Sequence, residues 1–581
     1  MSSASRRALL ALILFIALGA ILLQVAIMVR RPLHTGLVGG IVAPRVLLFD
    51  VPAQVDEGPA PASLSFDLLR DDNPQFHDLL SAVYNAAYDE SVEGIVLHID
   101  EIDWGWARVH EMSAALRAFR ASGKPLYACI DGVGEKEYVL AASAERIAMP
   151  SVSTLQLDGL SATATFMAGG LDKLGVRPNF AHVGKYKSAV ETYTRDSLSA
   201  PAREAMEALL DDEYTLLVDS LAVARHLSRA RVVQLIDEGP YTAREAVDHG
   251  LVDTLMAQAD VDSLASHAGP DRRRTGSFLR YAEEGGDEKG EHIAMLVAEG
   301  EIIDGKSREG AFGGRSVGDE TLIEALRDIQ SRKNIKAVVL RIDSPGGSGN
   351  ASEAVWQEIR RLRREKPVVV SMGDLAASGG YYLACAGDAI VAGPGTITGS
   401  IGVFGGKFNI AGLFRKFGIN MQSVTRGRHA NMMSEYTDFT PEEAEIFQHG
   451  LDQFYQVFLN RVAEGRGLSV AAVDSVAQGR VWSGLAAKRL GLVDELGGIN
   501  EAIDIAREKA HLDPDEDVVI EVYPRPRRTL VQNWVSRLFE DEDTDSDTRL
   551  AAVRELLSWY RASTVARRGA QALMPYRIHI E

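Results

Sequence analysis

A serine that could act as a nucleophile stands among small residues in the second half of the chain. The stretch reads Ala376-Ala-Ser-Gly-Gly-Tyr381 and lies between a predicted strand and an apolar predicted helix. The positive end of that helix and the backbone N–H of Gly379 could stabilise an oxyanion beside the hydroxyl of Ser378. A serine in this position also commonly caps a helix or fills a tight turn. The stretch therefore indicates either an acyl-transfer nucleophile or a structural serine.

A glycine-rich loop follows the preceding predicted strand. Val338–Ile342 runs directly into Asp343-Ser-Pro-Gly-Gly-Ser-Gly349. Glycines after a strand let the backbone approach a ligand closely and present its N–H groups. A phosphate-binding loop would continue with a Lys-Ser/Thr pair, whereas this chain continues with Asn-Ala-Ser-Glu. We therefore interpret the loop as part of an oxyanion hole.

A nucleophilic serine needs a general base to accept its proton. The G-x-S-x-G motif of many hydrolases is absent around Ser378, and the first histidine downstream is His429. His429 could serve only if the fold returned it to the serine. The alternative base is a lysine whose amine is kept neutral by burial and by cationic neighbours. The residues around the serine leave both bases open.

The chain contains two related copies of one domain-sized sequence. Gly94–Asp100 resembles Ala337–Asp343 at an offset of 243 residues, and Gly250–Asp253 matches Gly491–Asp494 at an offset of 241. This spacing is far too long for a solenoid repeat and indicates tandem domains. Each copy alternates short apolar runs with helical stretches, which predicts an α/β fold with right-handed crossovers between parallel strands.

Three motifs in this order resemble the signal peptide peptidase A family. They are Ser344-Pro-Gly-Gly347, Ala376–Tyr382 and Thr398-Gly-Ser-Ile-Gly-Val403, and the resemblance covers roughly residues 45 to 510, including the duplication. It implies the long, two-copy form of a membrane-anchored serine protease with a Ser–Lys dyad. The implied fold is two tandem domains like those of the crotonase and caseinolytic-protease superfamily. No metal and no organic cofactor are implied.

The resemblance divides the nucleophile and the base between the copies. Single-copy relatives carry their lysine in a Gly-x-x-Lys segment of the serine's own domain, but here that segment reads Gly427-Arg-His-Ala430. The first copy has Gly184-Lys-Tyr-Lys187 at the equivalent position. Where Ser378 should map, the first copy has Glu135 or Lys136. Neither copy is complete alone, which predicts one composite site containing Ser378 and Lys187.

Two further residues bear on the expected base. Lys185 competes with Lys187, since alternate side chains of an extended stretch point the same way. The alignment of the copies and the family resemblance both favour Lys187. By the same resemblance, Ser400 contacts the lysine amine and would orient it as the third member of a triad orients a base.

The expected reaction is hydrolysis of a peptide bond by acyl transfer. Neutral Lys187 would take the proton of Ser378, which attacks the carbonyl carbon. The oxyanion hole is expected to use the N–H of Gly379 and one from Gly346 or Gly347, preferably Gly347. The protonated lysine would then donate to the leaving amine.

An apolar segment near the start of the chain predicts a membrane anchor. Ala8–Val29 contains 22 residues whose only strongly polar side chain is Gln24, and as a helix it spans roughly 33 Å, about one bilayer core. An Arg-Arg-Pro exit does not resemble the small-residue cleavage site of a signal peptide. Together with the resemblance, this predicts a single-pass protein of the inner membrane with a cytoplasmic N-terminus and its catalytic domains on the periplasmic side.

These features divide the chain into five expected segments. They are residues 1–31, a cytoplasmic stub and transmembrane anchor; 45–265, a first protease-like repeat that supplies the lysine; 266–291, a linker; 292–512, a second protease-like repeat that supplies the serine; and 513–581, a tail with an acidic run and an amphipathic helix.

Composition limits the partners. The net charge of −19 over 581 residues argues against nucleic acid as a main partner. Only two cysteines, Cys129 and Cys385, are present, which excludes a disulfide framework and a four-cysteine zinc site. The resemblance implies apolar peptide substrates, notably signal peptides left in the membrane, and a homo-oligomer expected to be a tetramer. Two other functions remain open, an inactive membrane scaffold of the same fold and an acyl-CoA enzyme of the same superfamily.

Overall fold

The computed structural model describes residues 45–59, 74–266, 275–283, 290–309, 314–513, 517–525 and 571–573. The predicted anchor Ala8–Val29 and the predicted tail helix Leu550–Ala562 lie outside these residues. No helix within the described ranges is both long and apolar enough to cross a bilayer. We refer to residues 45–283 as the N-terminal module and to residues 290–525 as the C-terminal module.

The N-terminal module alternates strands and helices. Its elements are β1 (Arg45–Asp50), α1 (Phe76–Tyr88), β2 (Val92–Ile99), α2 (Trp106–Ala121), β3 (Leu126–Ile130), α3 (Glu135–Ala141), β4 (Arg146–Met149), β5 (Thr154–Leu155), α4 (Ala168–Leu174), β6 (Arg177–Val183), a 3-10 turn (Ser188–Val190), α5 (Glu191–Thr194), α6 (Ala200–Ala224), α7 (Arg229–Glu238), β7 (Tyr241–Thr242), α8 (Ala243–Asp248), β8 (Thr254–Leu255), α9 (Gln258–Ser266), β9 (Thr275–Ser277) and α10 (Phe278–Glu283). Six strands form a parallel sheet in the order β8-β4-β3-β2-β1-β9.

The C-terminal module repeats this arrangement. Its elements are β10 (Glu291–Glu299), β11 (Glu301–Ile303), β12 (Arg308–Glu309), β13 (Arg315–Gly318), α11 (Asp319–Ser331), β14 (Ile335–Ser344), β15 (Gly346–Ser348), α12 (Gly349–Leu362), β16 (Val368–Ala377), α13 (Gly379–Ala384), β17 (Ala389–Ala392), β18 (Ile397–Gly399), β19 (Val403–Asn409), α14 (Ala411–Lys416), α15 (Pro441–Arg466), α16 (Val470–Val476), β20 (Val481–Ser483), α17 (Gly484–Arg489), β21 (Glu495–Leu496), α18 (Ile499–Lys509) and β22 (Val518–Tyr523). A last described strand is β23 (Gln571–Leu573).

The two modules share one topology. The parallel strands of the C-terminal module run in the order β21-β17-β16-β14-β10-β22, which is the order of the first sheet. Matching side chains make matching contacts, since the hydroxyl of Tyr138 donates to the carbonyl of Leu251 and that of Tyr381 donates to the carbonyl of Leu492. The duplication predicted from the sequence is therefore present in the fold, which is α/β as expected.

The middle of each central strand is apolar because helices cover both faces of each sheet. In β14, Ala337 and Val339 belong to a buried cluster with residues of α18, whereas Val338 and Leu340 belong to the larger cluster beneath α11 and α12. Alternate residues of a strand point to opposite faces, so an uninterrupted apolar run is what this layered arrangement requires.

Two edge strands extend the repeat further than the sequence indicated. β9 lies in the segment interpreted as a linker, yet it pairs with β1, and the next residue, Phe278, is buried and stacks on Phe49 with 4.1 Å between ring centroids. β22 lies in the segment interpreted as tail and pairs with β10. Such short edge strands leave too few residues for a periodic pattern to be recognised.

A third sheet joins the modules. β6 of the N-terminal module pairs antiparallel with β19 of the C-terminal module along its whole length, from Arg177 opposite Asn409 to Val183 opposite Val403. The complete order is β12-β13-β11-β15-β23-β19-β6. Because Lys187 follows β6 and Ser400 precedes β19, this pairing brings the two segments together.

Candidate active site

Ser378 is the single residue between β16 and α13. Its backbone has φ 55° and ψ −110°, a region that residues other than glycine rarely occupy. The N–H of Ser378 donates to the carbonyl of Gly399 at 2.8 Å, which holds the turn in place. Its side chain makes no capping hydrogen bond to the helix. The capping interpretation therefore does not apply, and the hydroxyl points elsewhere.

That hydroxyl contacts a buried lysine from the other module. The Nζ of Lys187 lies 2.7 Å from the Oγ of Ser378, 3.0 Å from the Oγ of Ser400 and 3.1 Å from the carbonyl oxygen of Ser400. All three side chains are fully buried. Burial lowers the pKa of Lys187 well below the usual value for lysine, because the charged form loses its hydration. A neutral amine at this distance can accept the proton of the serine.

The backbone around Lys187 is held by the C-terminal module. The N–H of Tyr186 donates to the carbonyl of Gln478 at 2.8 Å. Gly479 lies so close to the lysine that a Cβ added to it would be 2.6 Å from the Cβ of Lys187, and its φ is +76°. Only glycine fits there. The lysine therefore contacts the serine within a single chain. The segment after β6 that contains Lys187 packs against the loop before β20.

Ser400 lies at the turn between β18 and β19, with φ 49°. Its N–H donates to the carbonyl of Arg480 at 2.7 Å. Both the side chain and the carbonyl of Ser400 contact the amine of Lys187. This contact matches the one that the family resemblance implied.

The glycine loop lies next to the serine turn. Gly379 is the first residue of α13, and N–H groups in the first turn of a helix have no intrahelical acceptor. The N–H of Gly346 donates to the Oγ of Ser344 at 3.1 Å. Gly347 is packed so tightly that an added Cβ would lie 1.9 Å from the carbonyl oxygen of Ile302. The N–H of Gly346 is thus already engaged within the loop, and Gly347 as the partner of Gly379 stays a prediction.

Gly347→Ala is expected to lower kcat/KM by about 10²-fold, because the added methyl group must displace β15 from β11 and move the loop N–H. Peptide cleavage by the purified variant measures this effect. Gly450→Ala is the matched control. Gly450 is an exposed residue of α15 with no atom near its missing side chain, so alanine there should leave activity unchanged and stabilise the helix by up to about 1 kcal/mol.

The two competing bases lie away from the serine. Lys185 is exposed, with its Nζ 4.7 Å from the ring centroid of Tyr186. His429 lies 3.6 Å from Glu442 and 3.8 Å from Glu443. Neither has a contact with Ser378 among the interactions of the described residues, so Lys187 alone of the three candidates is placed to act on it.

The N-terminal module has no serine at the position equivalent to Ser378. Since Tyr138 and Tyr381 are equivalent, Glu135 takes the position of Ser378. Its buried carboxylate accepts hydrogen bonds from the N–H groups of Asp158 and Gly159 at 2.9 and 2.8 Å. A carboxylate thus fills the position where the other module carries its hydroxyl.

Sequence reasoning missed a buried ion network that joins the modules behind the site. Glu57 is bound on one side by Arg341 at 2.9 and 3.0 Å and on the other by Arg108 at 2.9 Å. Burial alone would raise the pKa of Glu57, but the two guanidinium groups lower it to about 2. Arg108 also pairs with Asp343 and Asp374.

The network reaches both segments of the site. Asp343 begins the glycine loop, and burial raises its pKa to about 7. Its Oδ1 accepts a hydrogen bond from the N–H of Leu375 at 2.9 Å, three residues before Ser378. Arg108 of the N-terminal module thereby ties the glycine loop to the strand that carries the serine. Glu57 and Arg108 belong to no sequence motif. Of the network, only Asp343 and Asp374 lie in or beside the motif stretches that the sequence analysis identified.

Comparisons with known proteins identify the family. The model of Peptidase family S49 matches residues 118–269 and again residues 360–513, and the model of Clp protease matches residues 315–392. The chain is 35% identical over 455 residues to "Serine protease SPPA, chloroplastic" of Arabidopsis thaliana, covering 77% of this chain and 67% of the relative.

Similarity to bacterial proteins indicates the same family. The chain is 34% identical over 467 residues to "Protease 4" of Salmonella typhi, covering 77% of this chain and 75% of the relative. It is 31% identical over 254 residues to a "Putative signal peptide peptidase SppA" of Enterococcus faecium, covering 44% of this chain and 72% of the relative. The resemblance stated from the motifs is confirmed. With two tandem matches and these relatives, the chain belongs to peptidase family S49 and is a serine peptidase.

Proposed function

We propose that Ser378 is the nucleophile and Lys187 the general base of one composite site formed by both modules. The observation that supports this best is the 2.7 Å distance between the Nζ of Lys187 and the Oγ of Ser378, with both groups fully buried. A buried lysine without a carboxylate partner is neutral, which is the form that a base requires.

The steps follow from the positions of the groups. Lys187 takes the proton of Ser378, whose oxygen attacks the peptide carbonyl. The N–H groups of Gly379 and Gly347 stabilise the negative oxygen of the tetrahedral intermediate. The protonated lysine donates to the departing amine, and water then cleaves the acyl-enzyme with help from the same base. Ser400 keeps the amine aimed at the serine.

The pH dependence of activity should follow the protonation of Lys187. The neutral fraction of an amine increases with pH, so kcat/KM is expected to rise with pH through the pKa of Lys187, which lies well below 10.5. Steady-state cleavage of a quenched apolar peptide between pH 6 and 9 measures this. A flat profile across that range would contradict a lysine base.

We propose apolar peptides, such as signal peptides left after export, as the substrates. The name of the Enterococcus faecium relative supports this class. The predicted anchor Ala8–Val29 would hold the enzyme in the inner membrane, with its catalytic modules on the periplasmic side, where such peptides are released. Partition of the full chain with membranes and protease accessibility of the modules in spheroplasts test this placement.

The alternative is a membrane scaffold that kept the fold and lost activity. A serine-directed acylating probe separates the two functions, since it should label Ser378 in the wild-type protein and not in Ser378→Ala. Cleavage of the apolar peptide by detergent-solubilised protein, lost in the same variant, would establish the peptidase site. Protein that neither reacts with the probe nor cleaves varied peptides would favour the scaffold.

The repeat supports a homo-oligomer, for which we propose four subunits. At the offset of 243, residues 420–426 are equivalent to β6 and residues 160–166 to β19. Neither segment forms a strand in the described part of the chain, and the first exposes Met421 and Val424. Residues 420–426 of one subunit can therefore pair with residues 160–166 of the next, as β6 pairs with β19. A head-to-tail interface forms a ring when the rotation between neighbouring subunits closes, and we propose that it closes with four subunits.

The register of this interface can be tested by cross-linking. Phe180 pairs with Gly406 within the chain, so Ser423 should pair with Thr163 of the next subunit. A mixture of Thr163→Cys and Ser423→Cys chains is expected to form a disulfide-linked heterodimer on oxidation. Val223→Cys replaces Thr163→Cys in the control, since Val223 is exposed elsewhere. Equal yields in the two mixtures would contradict the interface.

A further inference from the structure

A buried carboxyl group lies behind the candidate active site, on a helix that contacts both of its segments. Glu213 belongs to α6, and its side chain is 3% exposed. Its Oε2 lies 4.0 Å from the Nε2 of His110 in α2, farther than a hydrogen bond reaches. Neither atom has a hydrogen-bond partner among the described residues. His110 supplies no positive charge, because burial and the neighbouring Arg117 lower its pKa to about 4. An ionised Glu213 would therefore be unusually costly here.

The helix that carries Glu213 packs behind the proposed dyad. One turn earlier in α6, Leu209 belongs to a buried cluster that also contains Tyr186 and Ala377. These two residues immediately precede the lysine and the serine of the dyad. Because buried side chains are closely packed, a displacement of α6 at this point reaches both reacting groups.

The carboxyl group of Glu213 also packs against a turn that leads to the site. A Cβ added to Gly395 would collide with this carboxyl group, so the contact depends on glycine. β18 begins two residues after Gly395, and the carbonyl of its last residue, Gly399, accepts the N–H of Ser378. The turn and α6 thus approach the serine from two directions, and Glu213 contacts the first and belongs to the second.

The charged groups that face Glu213 favour its protonated form. Burial raises the pKa of Glu213 most, and repulsion from Asp374 of β16 and Asp212 of α6 raises it further. Lys136 of α3 opposes this weakly, and the resulting pKa is about 8. Both aspartates are fixed, Asp374 by two N–H groups at the start of α2 and Asp212 by the hydroxyl of Ser483. The carboxyl group is therefore uncharged at neutral pH and becomes charged in mildly alkaline solution.

We propose that Glu213 is a positioning residue, whose uncharged carboxyl group holds α6 and the 393–395 turn against the segments that carry Ser378 and Lys187. Its ionisation displaces both elements, because a buried charge without a partner must gain water or a counter-charge. This inference rests on the proposed function of the dyad. It gives peptide cleavage an upper pH limit, in addition to the lower limit set by protonation of the lysine.

The pH profile of an uncharged variant tests this role. In wild type, kcat/KM should fall about tenfold from its maximum by pH 9, since about a tenth of Glu213 stays protonated one pH unit above its pKa. Glu213→Gln should match wild type near pH 7 and keep its full activity at pH 9. Glu207→Gln, at an exposed position of the same helix, is the control and should show the wild-type fall. A fall that persists in Glu213→Gln, or an equal loss of its activity at every pH, would overturn the inference.

Stability measures the ionisation without relying on activity. The pKa of Glu213 is raised from 4.5 to about 8. In a Ser378→Ala background, protein with Glu213 should therefore lose stability relative to Glu213→Gln as the pH rises from 4.5 to about 8, with no further loss above. Denaturant midpoints at pH 5, 7 and 9 measure this difference, and Glu213→Met replaces the glutamine variant if the amide prevents folding. A difference that does not change with pH would overturn the inference. The expected change in a protein whose wild-type form never cleaves peptide would instead overturn the proposed function.

Discussion

Lys187→Met is expected to lower kcat/KM by about 10²–10⁴-fold, the usual contribution of a general base. Methionine has nearly the length of lysine and fills the same buried space, but it cannot accept the proton of Ser378. The free energy of unfolding is expected to fall by about 1–3 kcal/mol, because the buried Ser378 and Ser400 lose the amine as a hydrogen-bond partner. Peptide cleavage and chemical denaturation of the variant measure the two effects separately.

Lys185→Met is the matched control, since Lys185 is exposed and two residues away. It should retain full activity. If Lys187→Met retained activity while Ser378→Ala lost it, the base would have to be a different group, and His429 would be the next residue to replace. If both lysine variants lost activity, the cause would be disruption of the Gly184–Lys187 segment and not removal of the Lys187 amine.

Glu57→Gln is expected to lower the free energy of unfolding by about 3–5 kcal/mol, the usual effect of removing one member of a buried ion pair. Glu57 is completely buried and neutralises Arg108 and Arg341. A neutral amide would leave two guanidinium groups without this carboxylate at the junction of the modules. The shift in denaturant midpoint at pH 7 measures this loss of stability. Because a two-module protein can unfold in more than one step, the transition of each step is fitted separately.

The pH dependence of this loss has a definite sign. The pKa of Glu57 is lowered from 4.5 to about 2, so the stability it provides is fully present above pH 4.5 and declines as the pH falls through about 2. The difference in the free energy of unfolding between wild type and Glu57→Gln should therefore become smaller below pH 4.5. Glu495→Gln is the control, because its partner Lys488 is also exposed; it should change stability by less than about 1 kcal/mol.

Much of the site could be predicted because its residues stand in short, recognisable stretches. Ser378, Ser400 and the loop glycines lie in motifs, and Lys187 was predicted because each copy keeps what the other has lost. The sequence could not decide whether Ser378 caps a helix, since that depends on its φ and ψ. Nor does any sequence pattern give the pairing of β6 with β19, which brings the lysine to the serine within one chain.

The remaining features depend on contacts between distant residues. Glu57 and Arg341 are 284 residues apart, and charged residues make up 25% of the chain, so no pattern marks this pair. β9 and β23 are three residues long, too short for hydrophobic periodicity. The alternating α/β order was clear because each copy repeats apolar runs between helical stretches. The five expected segments remain a prediction, with the first of them outside the described residues.

The pairing of β6 with β19 has a consequence for the life of the polypeptide. Lys187 is synthesised 191 residues before Ser378, and the strand that aligns them is made later still. A nascent or truncated chain that ends before β19 therefore contains an amine and no competent hydroxyl. On the proposed composite site, the duplication provides no spare active site, and damage to either copy is expected to abolish activity. If Ser378 and Lys187 act as proposed, hydrolysis would begin only after the chain has been made at least through β19 and has folded.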